Sequence, residues 1–195
     1  WKTEVWTRGT ITNGVLTGDV ILKGYGDPYL VYESFWQLMF DLRNKGLRDI
    51  QGNILIDNSY FDVPLQSEEN FDNTPERVYN ALPSAVMFNF QATRFLISPD
   101  SANNKVEITS FPEVPALEIT NEMVLKEGRC AANNYTPMFM RQGSDAMLIR
   151  GNYSADCGQQ FIMRLMSNPV NHAANAFRQF WKQLGGTISG VGQAG

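Results

Sequence analysis

Residues 4–11 and 15–23 alternate apolar with polar positions and are rich in β-forming side chains, and Asn13-Gly14 lies between them. An Asn-Gly pair readily supplies the two positive-φ residues of a tight hairpin turn, so the chain is predicted to open with a β-hairpin. After Gly24-Tyr25-Gly26-Asp27-Pro28, the residues Phe35, Leu38, Met39 and Leu42 recur at i, i+3, i+4 and i+7, with Gly46 where a helix-stopping glycine belongs. That spacing predicts one amphipathic helix. Ile50-Gln51-Gly52-Asn53-Ile54-Leu55-Ile56-Asp57 then reads as a strand running into a polar turn.

The same grammar returns near the C-terminus. Phe161-Ile162-Met163-Arg164-Leu165-Met166 is strand-like, and Asn168-Pro169 makes an N-cap and first-turn pair. Val170, Ala173, Ala174, Phe177, Trp181 and Leu184 mark a second helical stripe. It ends at Gly185-Gly186, and Ile188-Ser189-Gly190 echoes Ile50-Gln51-Gly52. Strand, helix, glycine stop and Ile-x-Gly strand therefore occur twice, which predicts two β-α-β units forming one domain. Between them, 58–85 is a polar, turn-rich surface excursion, and short strands are predicted at 86–98, 104–110, 117–125, 135–140 and 146–153. The expected fold is α+β and β-rich, with a second, mainly β domain inserted between the two β-α-β units. Residues 1–98 and 158–195 would form the outer domain and 99–157 the nested one.

Composition narrows the function classes. With 43% hydrophobic and 12% aromatic residues against 18% charged, the 195-residue chain can bury enough surface to offset its entropy, which excludes disorder. A net charge of −4 with no Lys/Arg block gives no footprint for nucleic acid or for an anionic membrane surface. No window approaches eighteen consecutive apolar residues, so no transmembrane helix is predicted. The chain begins Trp1-Lys2-Thr3-Glu4-Val5-Trp6, without an initiating Met or an apolar leader, and reads at once as a strand. It is expected to be a piece of a longer protein. Two cysteines and one histidine leave too few ligands for an ordinary zinc site, and neither metal nor cofactor is expected.

Candidate chemistry is sparse. Gly24-Tyr25-Gly26 begins like a dinucleotide fingerprint, but the third glycine is missing and Pro28 follows where a helix should start, so that reading is rejected. Asp27 is read as a turn residue, and Asp19, Asp57 and Asp62 as strand-end turns rather than acid–base partners. His172, in the first turn of the second helix, is read as a helix-surface or partly packed side chain, since no Gly-x-Ser-x-Gly elbow offers it a nucleophile. Ser-x-x-Lys is absent, because Ser101 and Lys105 are four apart, and so is Lys-Thr-Gly. The chain alone is expected to be inactive. Cys130 and Cys157 are either two buried thiols or a bridge; their polar flanks, Gly128-Arg129 and Ala155-Asp156, favour the bridge and with it an oxidising compartment.

Three separated motifs in order carry a resemblance: Val15-Leu16-Thr17-Gly18-Asp19-Val20-Ile21-Leu22-Lys23-Gly24-Tyr25-Gly26-Asp27-Pro28; Ile50 to Asp62; and Tyr79-Asn80-Ala81-Leu82-Pro83-Ser84-Ala85 with Asn89. Together they resemble the class C low-molecular-mass penicillin-binding proteins, periplasmic serine D-alanyl-D-alanine carboxypeptidases and endopeptidases. The resemblance implies nested β-rich domains inserted after the helix bearing Ser-x-x-Lys, with Ser-x-Asn and Lys-Thr-Gly later, all three motifs lying outside this chain. It implies a periplasmic location, peptidoglycan stem peptide as substrate of the parent enzyme, and β-lactam binding only through the absent catalytic domain. A loop at about 62–85 would face the active site and touch the peptide side chain through an aromatic, matched by Tyr79, and an acidic residue. The usual spacing for the acid falls on Thr74, and Asp72 and Glu76 are the nearest carboxylates. The alternative is a stand-alone wall-binding or partner-binding module without catalytic activity.

Overall fold

In the computed structural model, which describes residues 1–62, 72–111, 118–142 and 146–195, Asn13 and Gly14 both adopt positive φ, 51° and 82°. They join β1 (Thr3–Thr12) to β2 (Val15–Gly24) as an antiparallel hairpin with Thr12 opposite Val15. Helix α1 (Tyr32–Asn44), β3 (Asp49–Ile50) and β4 (Ile54–Asp57) follow. Next come β5 (Ala92–Asp100), β6 (Lys105–Phe111), β7 (Glu118–Lys126), β8 (Met138–Arg141), β9 (Ala146–Ser154) and β10 (Gln160–Leu165). Helix α2 (Pro169–Gln183), β11 (Thr187–Ile188) and β12 (Gly192–Ala194) complete the chain. The described residues divide into two compact units, one drawn from Trp1–Asn70, Ala81–Gln91 and Ser167–Gly195, the other from Phe71–Asn80 and Ala92–Met166.

In the first unit β2 pairs with β1 on one side and runs parallel to β3 and β4 on the other, with β11 and β12 beyond them. The strand expected over 50–57 is divided, and the division has a local cause. Val15 lies opposite Asp49 and Val20 opposite Ile54, one register interrupted at Gly52. A Cβ on Gly52 would sit 2.3 Å from the Gly18 carbonyl oxygen, and one on Gly190 would sit 2.2 Å from that of Gly52. Where the backbones approach this closely, side chains take over the ladder: Asp19 Oδ1 accepts from Asn53 N (2.8 Å), and Asn53 Oδ1 accepts from Val191 N (2.9 Å). The two Ile-x-Gly segments are thus neighbours in one sheet.

Both helices bury apolar stripes in this unit. Phe35 and Met39 of α1 meet Phe177, Phe180 and Trp181 of α2 in a core that includes Leu16, Val20, Leu22, Ile54 and Ile56 from the sheet. Each such fully buried side chain is worth ~1.5–3 kcal/mol over exposure. At the start of α2 the Asn168 side chain accepts from Asn171 N, with Pro169 in the first turn.

The second unit packs two three-stranded sheets, β10-β5-β6 and β7-β9-β8, around Phe95, Ile97, Phe139, Met147, Ile149 and Tyr153. The β7–β9 pairing is parallel and the others in this unit antiparallel. Here the structure corrects one expectation. β10, read as opening a second β-α-β unit, instead pairs with β5, Phe161 facing Leu96, so β10 and β11 lie in different sheets. A second correction concerns 86–98. Phe88 is buried in the first unit's core, Asn89, Phe90 and Gln91 take left-handed φ of 47–58°, and the strand begins only at Ala92. A buried hydrogen bond from Gln91 Nε2 to Ser167 O (2.7 Å) anchors the end of that turn.

Candidate functional site

The loop singled out by the resemblance is built on Asp72. Its Oδ1 accepts from Thr74 N (3.0 Å), Thr74 Oγ1 (2.6 Å) and Asn80 Nδ2 (2.8 Å), and its Oδ2 from Tyr79 Oη (2.6 Å). The Thr74 and Tyr79 hydroxyls hold the Asp72 carboxyl well below the usual carboxylate range. Asn73, at φ 56°, lets the chain reverse, and Arg77 N to Thr74 O and Asn80 N to Arg77 O close the turns. Tyr79 remains 65% exposed, with its hydroxyl held by Asp72. Glu76 lies 3.6 Å from Arg77 Nε, and its carbonyl accepts from Leu165 N, which ties the loop to β10. The structure thus brings Asp72 and Tyr79 into contact and turns Glu76 toward Arg77. Residues 63–71 of the expected loop lie outside the described residues.

Sequence reasoning missed the residues that shape this loop. Thr74 and Asn80 are both donors to Asp72, and Thr74 is the position where the resemblance would place the acid. Arg164 of β10 feels the charges of this loop: burial, then the neighbouring Arg77, lower its guanidinium from its ordinary value, while Glu76 opposes. Its cation covers the Phe139 ring at 4.6 Å. An arginine at an inward position of a strand was the one available signal.

The other candidate groups serve local structure. Asp27 accepts from Tyr29 N (2.9 Å). Asp57 accepts from Ser59 N (2.9 Å) and from Lys23 Nζ (3.0 Å), and its carboxyl is brought down to about 2, chiefly by Ser59. Asp19 pairs with Arg8 besides capping Asn53, and Asp62 is exposed. His172 is not on the surface: it is 2% exposed and packs on Phe88 at 5.5 Å. Cys130 and Cys157 form a disulfide with Cα atoms 4.8 Å apart. One literal Ser-x-Asn triplet does occur within the chain, Ser101-Ala102-Asn103, against the expectation that this motif lies outside it. It occupies the exposed β5–β6 turn, where Asn103 donates to both oxygens of Asp100, a turn role with no lysine one helical step from the serine.

A cleft of about 570 Å³ lies in the first unit at the C-terminal ends of β4 and β12, walled by Asn58, Phe61, Pro83, Val170 and Gln193 among others. Among the described residues no acidic or basic side chain lines it, and the one hydroxyl, that of Ser84, is hydrogen-bonded to Asn58 Oδ1 and Val86 O with no base beside it among these lining residues. Among the described residues no group of three or more His, Cys, Asp or Glu side chains is placed to hold a metal ion, and no helix is long and apolar enough to cross a membrane.

The family described as D-Ala-D-Ala carboxypeptidase 3 (S13) matches residues 1–194. The chain is 28% identical over 116 residues to the D-alanyl-D-alanine carboxypeptidase DacB of Haemophilus influenzae, covering 60% of this chain and 24% of that protein. It is 22% identical over 184 residues to a D-alanyl-D-alanine carboxypeptidase of an Actinomadura species, covering 91% and 34%. The fold is similar to the crystal structure of penicillin binding protein 4 from Haemophilus influenzae, with a TM-score of 0.73 at 19% identity over 97% of this chain and 42% of that one. A structure of the same protein complexed with a β-lactam gives a TM-score of 0.65 at 16% identity over 99% and 40%. The chain therefore spans a quarter to a third of the length of these curated relatives.

Proposed function

The chain belongs to the D-Ala-D-Ala carboxypeptidase 3 (S13) family, and on that footing we propose that it forms the non-catalytic inserted domains of a periplasmic serine D-alanyl-D-alanine carboxypeptidase or endopeptidase. Its relation to the class C low-molecular-mass penicillin-binding proteins is the one its three motifs pointed to. In this reading the parent enzyme acts on peptidoglycan stem peptides, and the chain contributes substrate contacts and scaffolding. The observation that carries it is the family match over residues 1–194, which contain no Ser-x-x-Lys and no Lys-Thr-Gly. An acyl-transfer serine needs an adjacent base to activate it, and no serine here has a lysine one helical turn away. The disulfide accords with an oxidising compartment.

The Asp72 loop supplies the substrate contact in this proposal. Tyr79 offers an exposed ring for the methylenes of a peptide side chain, while Asp72 or Glu76 provides the negative charge for its terminal ammonium. Asp72 already accepts four hydrogen bonds, so its part is charge and the positioning of Tyr79. Two measurements test the reading. Incubated with a labelled β-lactam, the 195-residue chain should form no covalent adduct; a stoichiometric penicilloyl adduct would overturn it. Sequencing the gene on either side should show Ser-x-x-Lys before Trp1 and Ser-x-Asn and Lys-Thr-Gly after Gly195, and their absence would leave a stand-alone module.

A further inference from the structure

The second unit carries an outward sheet face whose side chains are not those of an ordinary solvated surface. Register places Met163, Arg94 and Phe111 in one row across β10, β5 and β6, and Phe161, Leu96 and Thr109 in the next. The opposite face, Phe95, Ile97 and Ile162, is the one packed in the core. On the outward face Phe161 is 60% and Met163 46% exposed. Arg94 stands between two rings, its guanidinium carbon 5.0 Å from the Phe161 centroid and 5.4 Å from that of Phe111. No ion pair among the described residues engages Arg94, and Glu107, the acid of β6, lies opposite Ser98 further along the sheet and is held by Lys105 at 3.0 Å.

From this arrangement we propose that the outward face of the β10-β5-β6 sheet, centred on Arg94 between Phe161 and Phe111, binds peptidoglycan, with Arg94 taking a free carboxylate of a stem peptide and the flanking rings an adjoining sugar. The identity of the polymer rests on the family reading above; the chemistry rests on the face itself. A guanidinium lying over aromatic rings keeps its in-plane N–H donors available, and their fork matches a carboxylate. Aromatic faces beside that cation suit the C–H edges of a sugar ring, since the ring face carries negative partial charge. In a chain of net charge −4, a cation without an acidic partner among the described residues marks a local spot for an anion. Size selects the occupant. Three strands at ~4.8 Å spacing and two rows of side chains cover an area on the order of 100 Å², far short of the ~800 Å² per partner of a stable protein interface, which suits a thin linear polymer.

The test is co-sedimentation of the chain with purified peptidoglycan sacculi. Wild type should pellet with them. Arg94→Gln and Phe161→Ala should each weaken apparent affinity about five- to tenfold, the range expected for a partly screened charged contact or one exposed ring. Soluble muropeptides should compete, while chito-oligosaccharides, which have the same N-acetylated rings without carboxylates, should not. Should Arg94→Gln lower the unfolding midpoint, Phe161→Ala decides, because that ring is mostly solvent-exposed. Failure of the wild type to pellet, retention of both variants at wild-type level, equal competition by chito-oligosaccharides, or capture by anionic vesicles in place of sacculi would each overturn the proposal. The flanking motifs test the family reading by themselves, so a failure of either is separable from a failure of the other.

Discussion

His172, the one histidine in the chain, shows how far burial can depart from the spacing around it. The stripe Val170, Ala173, Ala174, Phe177 leaves position 172 at its margin, yet the segment carrying Phe88 covers it, and α2 is buried well beyond one face. Among the described residues neither ring nitrogen has a hydrogen-bond partner, and burial lowers its affinity for a proton to a value about 4. The folded chain therefore holds it neutral while the unfolded chain protonates it below its ordinary value near 6.5. Stability from this residue is fully present above about pH 6.5 and falls as pH drops toward 4, a loss of about 2 kcal/mol between pH 7 and 5. Urea unfolding of wild type and His172→Leu at those two pH values should show the dependence in the first and not in the second. A wild-type midpoint that does not move would refute a neutral buried imidazole. Asp57 and Asp72 act lower: their depressed carboxyls add stability that is present above their unfolded values, near 4, and lost only as pH falls through the folded ones.

At the scale of elements, what the sequence made legible were local signals that nothing tertiary opposed. The Asn13-Gly14 turn, the α1 spacing with Gly46, and the Asn168-Pro169 start of α2 each form where their residues dictate. β10 was misplaced because a strand-like run before a helix says nothing about which sheet will receive it; the choice lies in pairing with β5, some seventy residues earlier in the sequence by register. The Asp72 loop was partly legible for a similar reason: Tyr79 stands out in a motif, while the acceptor network needs Thr74 and Asn80 to fold back on one carboxylate. The Ile-x-Gly echo held more than repetition. Gly18, Gly52 and Gly190 form a line of close backbone approaches, and the Asp19 and Asn53 side chains stitch it. Gly52→Ala would press a methyl group against the Gly18 carbonyl, a backbone atom that cannot rotate away, and is expected to cost about 2–3 kcal/mol. Chemical denaturation measures it, and a change below about 0.5 kcal/mol, the range of ordinary surface substitutions, would show that the line is not under steric constraint.

Over the whole molecule, the distribution of probes between the two units makes their independence measurable. Trp1, Trp6, Trp36 and Trp181 all belong to the first unit, so intrinsic tryptophan fluorescence follows that unit alone. The disulfide belongs to the second, where Cys157 takes part in the core beside Tyr153. Closing 27 residues of chain removes unfolded-state freedom worth about 3.5 kcal/mol in the chain-entropy account, and all of it falls on the second unit. Each unit has its own buried cluster, so each is expected to unfold as its own cooperative step, and a single midpoint would not describe the chain. Denaturant titration with and without a reductant should then separate the two signals. The tryptophan transition should keep its midpoint on reduction, while far-UV circular dichroism, which also senses the β-rich second unit, should gain an early phase. Coincident transitions that shift together would mean that the two clusters unfold as one, and that the bridge stabilises the chain as a whole.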